Sequence, residues 1–194
     1  MKLKICGLTK MKEIEYVNRA QVDYAGFVFA PHRQQITVEN AISLRKELCP
    51  HIKAVGVFVG EPYDYIKDIV EQGIIDVVQF HGDGEHKMPC PTIRAFRMRS
   101  KSDIKPTRCD FVLFDSFHTG TRGATGGMFD WRLIDSYNQK PFFMAGGINI
   151  SNIKKAMELN PYCIDISSGV EENGEKSFEK IMQVARECKA HSRN

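Results

Sequence analysis

The sequence predicts an α/β fold, a compact (β/α)8 TIM barrel, from three observations. Eight short apolar runs recur along the chain, helix-compatible segments separate most of them, and the glycine-rich turns come late, after the last two runs. The 194 residues, 42% of them hydrophobic, suffice for one sizeable core, so a single barrel domain over 1–194 is the expected organisation.

The runs are Leu3 to Cys6, Tyr24 to Phe29, Ala54 to Val59, Val77 to Phe80, Thr92 to Phe96, Phe111 to Asp115, Phe142 to Ala145 and Cys163 to Ile166. They are rich in Val, Ile and Phe and lack the strict alternation of a sheet with one face in water, which suits parallel strands covered on both faces. Helical apolar spacing marks Met11 to Ala20, Val38 to Leu48, Tyr63 to Gln72, Asp130 to Tyr137, Ser151 to Leu159 and Phe178 to Cys188, several with a capping Thr, Ser or Asp at or near the start. Only Gly82 to Pro91 joins the fourth and fifth runs, barely the ~10 to 12 residues that a crossover with a helix needs. The fourth helix is therefore expected to be missing or very short. Ser100 to Cys109, interrupted by Pro106, is expected to form one helical turn or less. A doubly wound open sheet uses the same alternation but normally carries a glycine-rich turn after its first strand. Late glycines favour the barrel, in which phosphate commonly sits beyond strands 7 and 8.

Lys and Arg total 27 against 24 Asp and Glu, and the resulting +3 is spread without a block of like charge, which argues against a nucleic-acid partner. A local positive site for a small anion remains open. The six cysteines, Cys6, Cys49, Cys90, Cys109, Cys163 and Cys188, show no CxxC spacing and read as reduced thiols of a cytoplasmic protein. No export signal and no apolar stretch near ~18 residues is visible, so no membrane partner is expected. A monomer is the expected state.

Two loops have the composition of a phosphate grip. Gly146 and Gly147 in MAGGINIS let backbone amides approach an anion, and Ser167, Ser168 and Gly169 in DISSGVEENG add hydroxyl and amide donors, helped by a helix N-terminus. Singly these are ordinary turn residues; paired after successive late strands they point to phosphate.

Cys6 closes the first strand, at the rim where barrel catalytic groups project, although a free cysteine is commonly a small buried hydrophobe. If Cys6 faces the lumen then Lys4 does too, and a lumenal lysine needs an anion. Asp165, on the eighth strand, lies beside the first strand once the barrel closes, so a Lys4 to Asp165 pair is expected, with the ammonium favouring thiolate at Cys6. Asp115 ends FVLFD, where burial would raise its pKa and keep it protonated as an acid; a capping or salt-bridged loop carboxylate is the equal alternative. His81 ends VVQFHG and either bonds substrate or caps the barrel, the second being favoured for a lone histidine. His118 to Trp131 reads as a loop able to close over substrate, with Trp131 as a packing anchor. His81, Asp115 and Asp165 are too sparse for a metal-ligand set, and no metal is expected.

Taken in order, KICGLT, GFVFAP, VGVFV, VQFHG, FDS with TGGMFDW, AGGI, and DISSGVEENGEK resemble the phosphoribosylanthranilate isomerase family, nearly end to end. The resemblance implies an enzyme of tryptophan biosynthesis, an intramolecular aldose–ketose isomerase acting on a phosphorylated small molecule with no metal or organic cofactor. It implies that Asp115 protonates the furanose ring oxygen, that Cys6 as thiolate removes the C2 proton, and that Gly146, Gly147, Ser167, Ser168 and Gly169 hold phosphate. His81 and Asp165 match further pocket positions. One departure stands out: where the family usually has the arginine that holds the anthranilate, this chain has Gln34, with Arg33 one residue earlier. An amide replaces a bidentate guanidinium poorly, so either Arg33 turns inward or the anthranilate end is weakly held. Ala124 also stands where the family often has glycine. Two rival readings remain, another sugar-phosphate isomerase or epimerase on the same barrel, and a non-catalytic barrel that binds a phosphometabolite. Gln34 supports the first, and the presence of both Cys6 and Asp115 argues against the second.

Overall fold

Strand β1 (Lys2–Cys6) pairs in parallel with β2 (Tyr24–Val28) on one side and with β8 (Cys163–Ile166) on the other, which closes the sheet on itself. Between them run β3 (Lys53–Phe58), β4 (Val77–Phe80), β5 (Thr92–Met98), β6 (Phe111–Ser116) and β7 (Phe142–Met144), paired in chain order throughout. This is the architecture of a computed structural model that describes residues 1–82, 84–116 and 129–191. The register sets Lys4 against Asp165 and Cys6 against Gly26, so closure brings together residues far apart in sequence.

The helices α1 (Met11–Ala20), α2 (Val38–Glu47), α3 (Tyr63–Glu71), α4 (Ile153–Met157) and α5 (Phe178–His191) form largely where apolar spacing and caps agree. Thr37 caps α2, its hydroxyl accepting from the Asn40 amide at 3.2 Å. At α1 the work falls to Glu13, whose carboxylate accepts from the amides of Thr9 (2.7 Å) and Lys10 (3.0 Å), satisfying donors that the first turn leaves unpaired.

Among the described residues no helix joins β4 to β5, and β5 and β6 are linked by a 3₁₀ turn at Lys101–Asp103, in line with the short crossovers expected. The helix expected over Asp130 to Tyr137 does not form. A 3₁₀ turn at Trp131–Leu133 takes its place, capped by Asp130, whose carboxylate accepts from the Arg132 amide at 3.1 Å. Helix α4 is likewise shorter than Ser151 to Leu159. Asn149 accepts from the Ser151 amide and Asn152 from the Asn149 amide, both at 2.9 Å, which holds this stretch as a turn. Most of the proposed covering loop, residues 118–128 with Ala124, lies outside the described residues.

Two apolar layers result. Ile5, Val78, Phe114 and Ile164 point out of the barrel to meet Ile14, Leu44, Ile66, Ile69 and Ile181 from the helices. Tyr24, Val55, Val77, Ile93, Leu113, Phe143 and Cys163 fill the lower lumen. Above that floor the buried polar residues Lys4, Gln79 and Asp165 stand beside a small apolar cluster of Val28, Ala30 and Val57. Among the described residues no helix is long and apolar enough to cross a membrane.

Candidate active site

With the lumen plugged below, reactive side chains collect at the C-terminal strand ends. Lys4 is fully buried, and its ammonium donates to Asp165 Oδ2 at 2.7 Å and to Gln79 Oε1 at 3.0 Å, so the expected Lys4–Asp165 pair is present. Burial alone would strip the proton from Lys4, but the facing Asp165 carboxylate outweighs it and raises the pKa. Asp165 Oδ1 is buried without a hydrogen-bond partner. Two positions along β1, Cys6 packs against Val28, Ala30 and Val57 and is partly exposed. It needs the glycine opposite, since a Cβ on Gly26 would sit 2.7 Å from Cys6 Sγ.

The Lys4 ammonium acts on Cys6 in the expected direction, towards thiolate, but burial opposes it. Burial pushes the thiol up, and the Lys4 and Lys176 ammonium groups only partly offset it. Iodoacetamide should therefore label Cys6 more slowly at pH 7 than it labels a free thiol, and the rate should climb as pH passes the ordinary thiol range near ~8.5. Peptide-resolved mass spectrometry reads this directly. Full labelling at pH 6 would show that the two lysines dominate instead.

Asp115 stands at the end of β6, beside Arg97 in the sheet register, and accepts from the Ser116 amide at 2.7 Å. His81 follows β4; its Nε2 lies 2.6 Å from the Gln79 amide, and burial, then Lys4, Arg97, Arg94 and His32, depress its pKa to about 3. Burial and these cations thus favour the neutral imidazole.

Gly146 (φ 83°) and Gly147 (φ 69°) take backbone conformations that side chains resist. A Cβ on Gly169 would lie 1.9 Å from the Ile148 carbonyl oxygen, so the loops after β7 and β8 meet backbone to backbone. Ser167 is partly buried and Ser168 exposed on that rim. The helix that follows each loop is only five residues at Ile153–Met157 and a 3₁₀ turn at Ser168–Val170. Backbone amides and the Ser167 and Ser168 hydroxyls are the anion donors available on this rim.

Gln34 and Arg33 diverge. Gln34 is 8% exposed, donates from Nε2 to Glu171 Oε1 at 2.8 Å and accepts from the Ser167 hydroxyl at 3.2 Å. It lies over Gly7, where a Cβ would come within 2.3 Å of its Oε1. Arg33 is half exposed and its guanidinium bonds Glu171 Oε2 at 2.6 Å, so it is not turned inward. Sequence reasoning missed Glu171 and Lys176. The Lys176 ammonium is buried and uses its donors on Glu171 Oε1 (2.9 Å), the Ser167 carbonyl (3.1 Å) and the Ser167 hydroxyl (3.3 Å). Burial would push Glu171 up, yet Lys176 and Arg33 hold it below its usual range. The signal for Lys176 was absent, because it arrives on a small hairpin (β9, Glu171–Glu172; β10, Glu175–Lys176) with no apolar pattern. Gln79 was legible, lying on β4 two residues before His81. Among the described residues no group of three or more His, Cys, Asp or Glu side chains is placed to hold a metal ion.

A closed parallel barrel with a thiol, a carboxylate and an imidazole at the C-terminal strand ends belongs to the class of TIM-barrel enzymes that handle small molecules at that rim. The family model for N-(5'-phosphoribosyl)anthranilate (PRA) isomerase matches residues 3–187. The N-(5'-phosphoribosyl)anthranilate isomerase of Endomicrobium trichonymphae is 40% identical over 194 residues, covering 95% of this chain and 96% of that one. The phosphoribosyl anthranilate isomerase structure from Thermus thermophilus superposes with a TM-score of 0.85 at 27% identity, covering 98% of this chain and 100% of that chain. A phosphoribosyl anthranilate isomerase in complex with reduced 1-(o-carboxyphenylamino)-1-deoxyribulose 5-phosphate superposes with a TM-score of 0.82, also at 27% identity, covering 98% and 99% of the two chains. The chain belongs to the N-(5'-phosphoribosyl)anthranilate isomerase family.

Proposed function

We propose that this chain performs its family's isomerisation with Asp115 as acid and Cys6 as base, on a substrate whose phosphate rests on Gly146, Gly147, Ser167, Ser168 and Gly169. As an isomerase of tryptophan biosynthesis it converts N-(5-phosphoribosyl)anthranilate to 1-(2-carboxyphenylamino)-1-deoxyribulose 5-phosphate. The observation that carries the assignment of roles is the shared rim: Cys6 on β1 and Asp115 on β6 both stand at C-terminal strand ends above the plugged lumen.

The steps balance without an external oxidant. Asp115 gives its proton to the ring oxygen as the C1–O bond breaks, leaving an iminium at C1. Cys6 takes the C2 proton, and that electron pair forms the C1–C2 double bond of an enolamine. Tautomerisation then moves a proton to C1 and leaves the ketone at C2, so C2 is oxidised as C1 is reduced. His81 and Asp165 contribute to the pocket. No metal or organic cofactor takes part in this reading, and the protein acts as one cytoplasmic barrel domain and as a monomer.

The test is to generate phosphoribosylanthranilate in situ from anthranilate and phosphoribosyl pyrophosphate with the preceding transferase and follow its fluorescence. Loss on adding this protein is expected, and a flat trace would overturn the reading.

For the anthranilate end, Gln34→Arg should lower KM, because a guanidinium can pair bidentately with the substrate carboxylate where the amide cannot. Arg33→Ala should leave KM nearly unchanged, its half-exposed pairing with Glu171 being of the kind that contributes about 0–1 kcal/mol. The reverse pattern in steady-state kinetics would assign the role to Arg33.

A further inference from the structure

The Gln79 side chain is 2% exposed and joins two polar groups of the pocket. Its Oε1 lies 3.0 Å from Lys4 Nζ, and its Nε2 lies 2.6 Å from His81 Nε2. An ammonium can only donate, so the Gln79 carbonyl oxygen must face Lys4 and its amide nitrogen must face the imidazole. Lys4 cannot swing away to release that choice, because Asp165 anchors it at 2.7 Å. The amide nitrogen also only donates. His81 Nε2 must then present a lone pair, which places the ring proton on Nδ1.

We propose that Gln79 is a positioning residue: through the chain Asp165, Lys4, Gln79 it holds His81 as the neutral Nδ1–H tautomer, a fixed hydrogen-bond donor to the substrate. The identity of the recipient rests on the isomerase reading above, whereas the tautomer does not. A second proton on His81 would set two N–H groups against each other at 2.6 Å. The charged and titratable neighbours act the same way: Lys4 on β1, Arg94 and Arg97 on β5, and His32 after β2 all disfavour an imidazolium. His81 thus donates a hydrogen bond of constant strength and does not titrate in the working range.

Long-range ¹H–¹⁵N NMR of the wild-type protein should show Nδ1 protonated and Nε2 bare, unchanged from pH 5 to 9. Gln79→Glu substitutes an acceptor-only carboxylate, and should shift the proton to Nε2 and bring the ring into titration near neutrality. In kinetics, His81→Asn places its amide near the Nδ1 position and His81→Gln near Nε2. His81→Asn should keep kcat/KM within about 10-fold of wild type, while His81→Gln and Gln79→Glu lose about 100-fold, the scale of a lost preorganised donor. A wild-type Nε2–H ring, or one titrating between pH 5 and 8, would overturn the tautomer assignment. Equal losses in the Asn and Gln variants would overturn the donor role. A wild-type protein inactive on phosphoribosylanthranilate would overturn the isomerase reading instead, and the NMR pattern would still decide what Gln79 does.

Discussion

Cys6→Ala and Asp115→Ala should each lower kcat by about 10²- to 10⁴-fold, the usual contribution of one positioned acid or base. Neither substitution should unfold the barrel, since both side chains are partly exposed at the rim rather than embedded in the apolar layers. Binding of a product analogue, measured by calorimetry, should persist in both, because the phosphate loops after β7 and β8 are separate from them. The pH profile discriminates the roles. A base must be ionised to act, and burial holds the Cys6 thiol above its ordinary value, so kcat/KM should rise with pH beyond neutrality in the wild type. That limb should vanish from the residual activity of Cys6→Ala and survive in Asp115→Ala. An alkaline limb that persists without Cys6 would assign the base elsewhere.

Lys4→Met should destabilise the protein by about 3–5 kcal/mol, the penalty for leaving one member of a buried ion pair alone. The geometry places this pair at the severe end: Lys4 is 0% exposed, Asp165 is 7% exposed, and Asp165 Oδ1 already lacks a partner. Removing the ammonium strands a carboxylate in the lumen and also frees the Gln79 carbonyl oxygen that Lys4 satisfies. The double variant Lys4→Met with Asp165→Leu should recover most of the loss, because no charge is then buried. Urea unfolding midpoints at pH 7 measure both. The pH dependence has a definite sign. Asp165 raises the Lys4 pKa above its unfolded value near ~10.4, so the stabilisation is fully present below that value and fades only as pH rises through the elevated one. Between pH 6 and 9 the contribution of Lys4 ionisation to wild-type stability should therefore be flat.

The sequence by itself determined the barrel. Eight apolar runs rich in Val, Ile and Phe, separated by amphipathic segments, permit few architectures, and burial of those runs is a local property that composition reveals. It determined that Lys4 and Cys6 share one face of the first strand, because successive side chains on a strand alternate. It also marked the short fourth crossover, where Gly82 to Pro91 simply lacks length. The false expectations came where local preference is nearly balanced. Asp130 to Tyr137 carries helical spacing, yet Asp130 closes on Arg132 two residues on and the segment forms a 3₁₀ turn.

Only the tertiary structure decided how the site is charged. The ionisation of Cys6 depends on a competition between desolvation and two ammonium groups, and sequence shows the groups without showing the burial that outweighs them. The fates of Gln34 and Arg33 turn on Glu171, about 137 residues away in the chain, which draws both of them and Lys176 into one cluster. The amide orientation of Gln79 is set by Lys4 across the barrel. Each of these depends on closure of the sheet, which brings β1 beside β8, and no local pattern records a contact made by closure.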